Sequence, residues 1–377
     1  MTNICIDGNY FFYKTFGVFT GFDKDTDPSK ILSEYSQRST LIRKVATDLC
    51  SSLKELPTSG RLIFTMDSRS WRKNVEIEGG GYKSARHKKE EVDWSSFFDL
   101  LREFGNHLEK KGFIFSKVDD SEGDDLVAFW VNKFREIGEN TIIISGDQDL
   151  HQLIYQDENS WASVWNSNSK RNLLSIDENW KIPSEVSKRV ASVFDMAFTL
   201  SSETDRLSVL LKKSQVQKIN TKEFIFKKIL LGDTGDSVPS VWEYEKENKK
   251  VRFTEKKVDQ LYSFYLESKW ANLEFSEILE DKEFLQWVSS MVLKISKDID
   301  SSEKREKVEK NYLRNVSLMW LNKKVIPSHV TEGCLLEIDR GMALPKKSLI
   351  FDMIKILEGS DWITPGFTPK GFNPFEI

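Results

Sequence analysis

Along the first half of the chain, short apolar runs alternate with stretches of helical spacing. Residues 3–7 (NICID), 61–67 (RLIFTMD), 113–120 (FIFSKVDD) and 141–149 (TIIISGDQD) each read as a strand closing on one or more aspartates. Between them, residues 38–56 place Leu41, Val45, Leu49 and Leu53 on one helical face. Residues 94–112 read as a helix stopped by Gly112, and 122–138 as another. WASVWN (161–166) and RNLLSI (171–176) then read as an antiparallel hairpin. This alternation predicts an α/β fold, a mostly parallel central sheet with helices on both faces. From about residue 183 candidate helices dominate, interrupted by the polar stretches 243–256 and 297–310. Trp287, Val288, Met291, Val292 and Ile295 share one face of such a helix. The expected division is an α/β core over 1–182, a helical region over 183–360 and an extended, Pro- and Gly-rich tail over 361–377.

Composition narrows the class without fixing it. Hydrophobic residues at 39% and charged residues at 30% describe a globular chain rather than a disordered one. No apolar run approaches the ~18 residues a membrane-spanning helix needs, and the N-terminus lacks the pattern of a signal peptide. Cys5, Cys50 and Cys334 lie far apart with no CxxC pair, which argues against a zinc site or a disulfide framework and suits a reducing cytoplasm. A net charge of −4 at first disfavours a nucleic-acid partner. The charge is segregated, however. Residues 69–89 (RSWRKNVEIEGGGYKSARHKK) are strongly basic, while the carboxylates of interest fall in short separate clusters. A basic segment beside an acidic centre is what a metal-using enzyme with a polyanionic substrate requires.

Those clusters carry the candidate chemistry. Asp7, Asp67, Asp147 and Asp149 fall at or just beyond strand ends, and Glu122, Asp124 and Asp125 fall where a helix begins after another strand. Ligands of open α/β sheets gather at that edge. Taken singly, each acid has an ordinary explanation as a turn or helix-cap residue. Four successive acidic strand exits need more, because gathered carboxylates repel unless a counter-charge joins them. With no His or Cys beside them, magnesium is the expected ion, and manganese its expected substitute. Two such ions roughly 3.5–4 Å apart can activate a water and stabilise the leaving oxygen of a phosphodiester. A further acidic pair, Asp233 and Asp236, lies in the turn-forming segment LLGDTGDSVPSV (230–241).

Taken in order, these motifs resemble the 5′-nuclease (flap endonuclease) superfamily, most of all its T-even phage ribonuclease H type. The matching motifs are Asp7 in IDGN, Asp67 with SxxWR, Tyr82-Lys83-x-x-Arg86, Glu122-Gly-Asp124-Asp125, Ser145-Gly-Asp147-Gln-Asp149 and Gly232-Asp233-x-x-Asp236-x-Val-Pro. The resemblance implies a PIN/5′-nuclease-like core with a helical arch at about 69–92 and a helix–three-turn–helix at 232–241 that grips duplex DNA. Asp7, Asp67, Glu122, Asp124 and Asp125 would form one metal site, and Asp147, Asp149, Asp233 and Asp236 a second, directly or through waters. Arg72, Tyr82, Lys83 and Arg86 would meet nucleic acid from the arch, with Lys83 and Arg86 on the scissile phosphate and Tyr82 stacking on a base. The implied activity is that of a 5′-3′ exonuclease and flap endonuclease with ribonuclease H-type action, clearing primers or flaps in phage DNA replication. The implied substrates are DNA and RNA–DNA hybrid with 5′ ends or flaps, met by a monomer in the cytoplasm, the host's for a phage protein.

Departures set the remaining expectations. The duplex-gripping motif carries a potassium ion in such proteins, but here VWEYEKENKKVRFTEKK follows it in place of the usual Gly-Ile-Gly stretch. Lys249, Lys250, Arg252, Lys256 and Lys257 then become candidates for backbone phosphates. The tail GFNPFEI is a candidate docking peptide for a sliding clamp or single-strand-binding protein. Two other readings share the carboxylates: a PIN-type single-strand ribonuclease, and a structure-specific DNA-binding protein with an inactive site.

Overall fold

The computed structural model describes residues 1–20, 32–54, 56, 60–78, 80–84, 93–166, 171–174, 216–246, 249–279 and 281–345. The expectations for Arg86, for residues 180–215 and for the tail therefore lie outside the described residues.

One sheet organises the first half. Its strands are β1 (Thr2–Asp7), β2 (Leu62–Thr65), β3 (Ile114–Ser116), β4 (Asn140–Ile144), β5 (Tyr155–Gln156), β6 (Trp161–Asn166), β7 (Arg171–Leu174) and β8 (Val216–Lys218). They lie in the order β3-β2-β1-β4-β6-β7-β8, with β5 paired to β6. The run from β3 to β6 is parallel, and β7 returns antiparallel with Leu173 opposite Val164. The predicted hairpin is present. Side chains of a strand alternate between faces. Ile4, Ile6, Leu62, Phe64, Ile142 and Ile144 enter one core with α1 (Gly8–Thr20), α2 (Tyr35–Lys54) and α3 (Trp94–Lys110). Cys5, Ile63 and Ile143 point to the opposite face, where α4 (Gly123–Glu136) packs. Burial on both faces explains why these strands read as continuous apolar runs.

Helix α1 follows β1 directly, in a stretch where the apolar pattern predicts no element. Its sequence GNYFFYKTFGVFT is aromatic-rich and has no acidic residue in its first turn. Packing explains the helix better than propensity does: Phe11, Phe12 and Phe16 are all buried. Gly8 opens it because a Cβ there would stand 2.2 Å from the Thr65 carbonyl oxygen.

The chain divides into two compact units, and not where composition changes. Residues 70–87 belong with the helical unit, 220–327, while 328–377 return to the α/β unit. The reason lies in α10 (Ser328–Ala343), which packs on α4 and β3. Gly341 sits against the Trp130 ring, where a Cβ would come within 2.6 Å. Arg61 donates to the carbonyls of Met342 and Leu344, and Arg340 to that of Phe115.

Within the helical unit, α5 (Thr221–Leu231), α6 (Glu255–Leu266), α7 (Phe275–Ile278), α8 (Lys282–Ser296) and α9 (Ser302–Met319) enclose a core rich in aromatic rings, among them Phe226, Tyr265, Phe284 and Tyr312. Two polar stretches turn out to be ordered elements. Ser301 caps α9 and accepts from the Lys304 N–H, so the second stretch is mostly helix, with Val308, Tyr312, Val316 and Met319 buried on one face. The first contains an antiparallel hairpin of β9 (Glu243–Lys246) and β10 (Lys249–Arg252) in place of a helix directly after the turn. Its register sets Glu243 opposite Arg252 and Glu245 opposite Lys250. Arg252 faces Glu243 at 3.6 Å and stays exposed. The side chains of Lys249 and Lys250 lie outside those described.

Candidate active site

The strand order reverses between β1 and β4, and ligands of open α/β sheets settle outside the carboxyl ends of strands at such a point. Asp7 is the last residue of β1, and Asp67 lies two residues past β2. Asp147 and Asp149 follow β4, and Glu122 caps the N-terminus of α4 after β3. The fold gathers this edge from four separate stretches of chain.

Each carboxylate is held. Asp7 is 5% exposed; it accepts the Tyr10 N–H at 3.0 Å and the Ser145 hydroxyl at 2.9 Å. Ser145 in turn accepts the Asp147 N–H at 2.9 Å, and Asp147 accepts that of Asp149 at 2.9 Å. One serine therefore ties the exits of β1 and β4 together. Asp67 accepts the Gly123 N–H at the start of α4 at 2.6 Å, where the helix dipole favours a negative charge. Its own N–H is taken by the Asn9 side chain at 2.9 Å. Sequence reasoning passed over Ser145 and Asn9 as residues with a role, although both stand inside the quoted motifs SGDQD and IDGN.

The electrostatics identify which acids share a space. Burial pushes the Asp7 carboxyl up to about 7, with Asp67 and Asp147 adding to the effect against the hydrogen bonds from Tyr10 and Ser145. Half-buried Asp124 is also raised, by burial first and then by the charges of Asp7, Asp147, Asp67 and Asp149. Five aspartates thus act on one another. Asp125 does not share this role: it is fully buried, and its carboxylate accepts the Glu122 N–H at 3.1 Å in a reciprocal cap of α4. This cap is the contact that the structure gives the residue expected as a further ligand of the first metal site.

A divalent cation fits this donor set. The donors are all oxygens, and their mutual repulsion is what a hard cation relieves. Among the described residues, no three or more His, Cys, Asp or Glu side chains are already drawn tightly enough to hold a metal ion directly.

The helical unit carries the other predicted residues, and here the structure reassigns several. Arg72 is 1% exposed; its Nε donates to the Leu318 carbonyl, and its guanidinium lies over the Trp71 ring. It is a buried strut, not an arch cation facing a phosphate. Tyr82 is likewise buried, with Ile77, Val238, Leu318 and Met319, and its hydroxyl donates to Asp236 at 3.0 Å. A ring so enclosed does not offer a face for base stacking. Lys83 is partly exposed and holds a left-handed φ of 60°, a strain on the order of 1–3 kcal/mol for a non-glycine residue. The only helix in the described part of the expected arch is the single turn Trp71–Asn74.

Asp233 and Asp236 have local tasks. Asp233 accepts the N–H groups of Gly235 and Asp236 and the ammonium of Lys228, whose charge helps lower its carboxyl against the effect of burial. Its backbone exchanges two 2.8 Å hydrogen bonds with Val238, closing the turn. Gly232, at φ 71°, leaves no room for a side chain: a Cβ would lie 2.4 Å from the Val238 carbonyl oxygen. Fully buried Asn315 of α9 donates to the carbonyls of Ile229 and Pro239 and so fastens the turn to α5. Asn315→Ala is expected to destabilise the protein by about 2–4 kcal/mol, since it takes the donor from the Ile229 carbonyl and the acceptor from the Arg314 guanidinium, although Arg314 still donates to the Pro239 carbonyl. Urea unfolding checks this, and a loss below roughly 1 kcal/mol would show that the turn does not depend on the residue.

Residues 2–183 match the family model of the 5′-3′ exonuclease N-terminal, resolvase-like domain. The chain is 24% identical over 242 residues to a 5′-3′ exonuclease of Buchnera aphidicola subsp. Schizaphis graminum, across 63% of this chain and 64% of that one. The chain thus spans slightly under two thirds of this relative's length. In fold it is similar to a T5 5′-exonuclease with divalent metal ions (zinc) bound, at a TM-score of 0.50 and 13% identity, covering 91% of this chain and 99% of that one. Among the described residues no helix is long and apolar enough to cross a membrane.

Proposed function

We propose that this protein is a magnesium-dependent 5′-nuclease that hydrolyses phosphodiesters at 5′ ends or flaps of DNA and RNA–DNA hybrids. The observation that carries the reading is the convergence of Asp7, Asp67, Asp124, Asp147 and Asp149 on one another's charge at the switch point of the sheet. The match of residues 2–183 to the 5′-3′ exonuclease family model and the divalent ions on the T5 5′-exonuclease support it. A pair of magnesium ions held there would activate water and stabilise the leaving oxygen. Asp7, Asp67, Glu122 and Asp124 would hold one ion, and Asp147 and Asp149 the other. Manganese would substitute. Asn9, Ser145 and the Gly123 N–H keep the carboxylates oriented. Lys83 and Arg86 engage substrate phosphates.

The ligand role that family resemblance implied for Asp233 and Asp236 is weakened by their local hydrogen bonds. Potassium at the 232–241 turn would have to share carbonyls that already accept, those of Ile229, Leu230, Val238 and Pro239. The biological setting we propose is removal of RNA primers or flaps during phage DNA replication. An inactive binding protein fits less well, because none of the carboxylates it would have to lose is missing.

Incubating the protein with a labelled 5′-flap duplex and with a 5′-recessed RNA–DNA hybrid tests the reading. Short 5′ products are expected with magnesium or manganese and none with EDTA. Absence of cleavage with both ions would rule the nuclease out, and cleavage confined to single-stranded RNA would move the assignment to a PIN-type ribonuclease.

A further inference from the structure

Asp236 makes two contacts with one short segment. Its side chain accepts the Tyr82 hydroxyl at 3.0 Å, and its carbonyl accepts the Lys83 N–H at 2.8 Å. The Lys83 ammonium lies 4.9 Å over the Tyr82 ring. Both residues of the basic motif are therefore pinned from the same point of the 232–238 turn, and Lys83 is kept in a backbone conformation that it would not choose alone. Tyr82 closes a small apolar cluster with Ile77, Val238, Leu318 and Met319, so the phenol has little freedom to turn away. Asp236 is itself buried, which strengthens a hydrogen bond to its carboxylate.

The geometry points to Asp236 as a positioning residue: through Tyr82 it sets the placement of Lys83, and its carboxylate serves that latch in place of a metal ion. The functional consequence rests on the nuclease reading above, while the latch itself does not. The sequence places Asp236 in an acidic motif and so draws it toward the metals. The contacts draw it toward the cation that follows Tyr82. Rigid presentation of a substrate-binding cation matters for rate, because a misplacement of about 1 Å in a positioning group can cost on the order of 10²-fold.

Four variants separate the two roles. Tyr82→Phe keeps the ring and its packing and removes only the hydroxyl. Asp236→Ala removes the acceptor, Asp236→Asn keeps an oxygen able to accept the phenol, and Lys83→Ala removes the cation. Tyr82→Phe and Asp236→Ala are expected to slow single-turnover cleavage of a 5′-flap duplex by about 10- to 100-fold. The magnesium midpoint and the affinity for the duplex in calcium should stay within about threefold of wild type. Asp236→Asn should retain most activity. In the Lys83→Ala background neither Tyr82→Phe nor Asp236→Ala should slow cleavage further, as coupled residues require. A metal-ligand role predicts the opposite pattern: Asp236→Asn as damaging as Asp236→Ala, a shifted magnesium midpoint and effects that multiply. That pattern would overturn the proposal.

Limited trypsin digestion supplies a readout independent of activity. Cleavage after Lys83 should accelerate in Tyr82→Phe and Asp236→Ala but not in Asp236→Asn. Unchanged cleavage in the first two would overturn the latch even if activity fell. If the wild-type protein cleaves no substrate and the trypsin pattern still holds, the latch stands and the nuclease reading alone fails.

Discussion

Asp124→Asn is expected to abolish hydrolysis, by on the order of 10³-fold or more, while leaving the protein at least as stable as before. The first half follows from position. Asp124 stands in the first turn of α4, half-buried, under the charges of Asp7, Asp147, Asp67 and Asp149. No other described carboxyl is raised by so many neighbouring aspartates, so it is the group with most to gain from a cation. Asparagine keeps the size and one oxygen but not the charge that holds a hard ion. The second half follows from the same repulsion. Removing one of five mutually opposed charges relieves the folded state, as happens where a site is built at the expense of stability. Asp147→Asn should behave alike. Single-turnover assays in magnesium, paired with urea unfolding in EDTA, check both halves together. Retention of more than about a tenth of wild-type activity in either variant would remove that residue from the ligand set.

Both the acids and the fold class were readable from sequence for a physical reason. Strands buried on both faces of a parallel sheet need unbroken apolar runs, and the edge where ligands bind needs polar ends. NICID and TIIISGDQD therefore display fold and site in the same few residues. Where partners are distant along the chain, the reading failed. Arg72 and Tyr82 sit in a basic run that suggests an exposed arch. Their burial is decided by Leu318 and Asp236, 246 and 154 residues away. Asp125 and Asp124 are adjacent and chemically identical, yet one caps a helix and the other faces four carboxylates. Charge hid ordered elements as well. Helix α9 begins SEKREKVEK and shows its apolar face only from Val308 onward, while the hairpin of β9 and β10 is built from a charged stretch that resembles a solvated run. The return of α10 to the α/β unit had no local signal, because it depends on Gly341 fitting under Trp130.

The second large effect concerns pH. With Asp7 pushed up to about 7 from its usual 3.8, the folded protein holds that proton more tightly than the unfolded chain does. The contribution to stability is then fully present below about pH 4 and is lost as pH rises through about 7, a difference on the order of 4 kcal/mol. Asp124, raised by burial and by its acidic neighbours, acts in the same direction. In EDTA the wild-type protein should therefore lose stability between pH 5 and pH 8 relative to Asp7→Asn, which carries no such charge. Magnesium should close most of this gap above pH 7, since an ion that binds only the folded, ionised site adds about 2.7 kcal/mol at a hundredfold excess over its dissociation constant. Asp7→Asn should gain little from the ion. Thermal unfolding of the two proteins across this pH range, with and without magnesium, separates a metal site from an acidic cluster of any other kind. Parallel curves for the two proteins in EDTA would mean that Asp7 is ionised without strain, and equal magnesium shifts would place the ion elsewhere. Curves that diverge with rising pH in EDTA and converge when magnesium is added are the outcome required if the charge gathered at the exits of β1 and β4 exists to hold a cation.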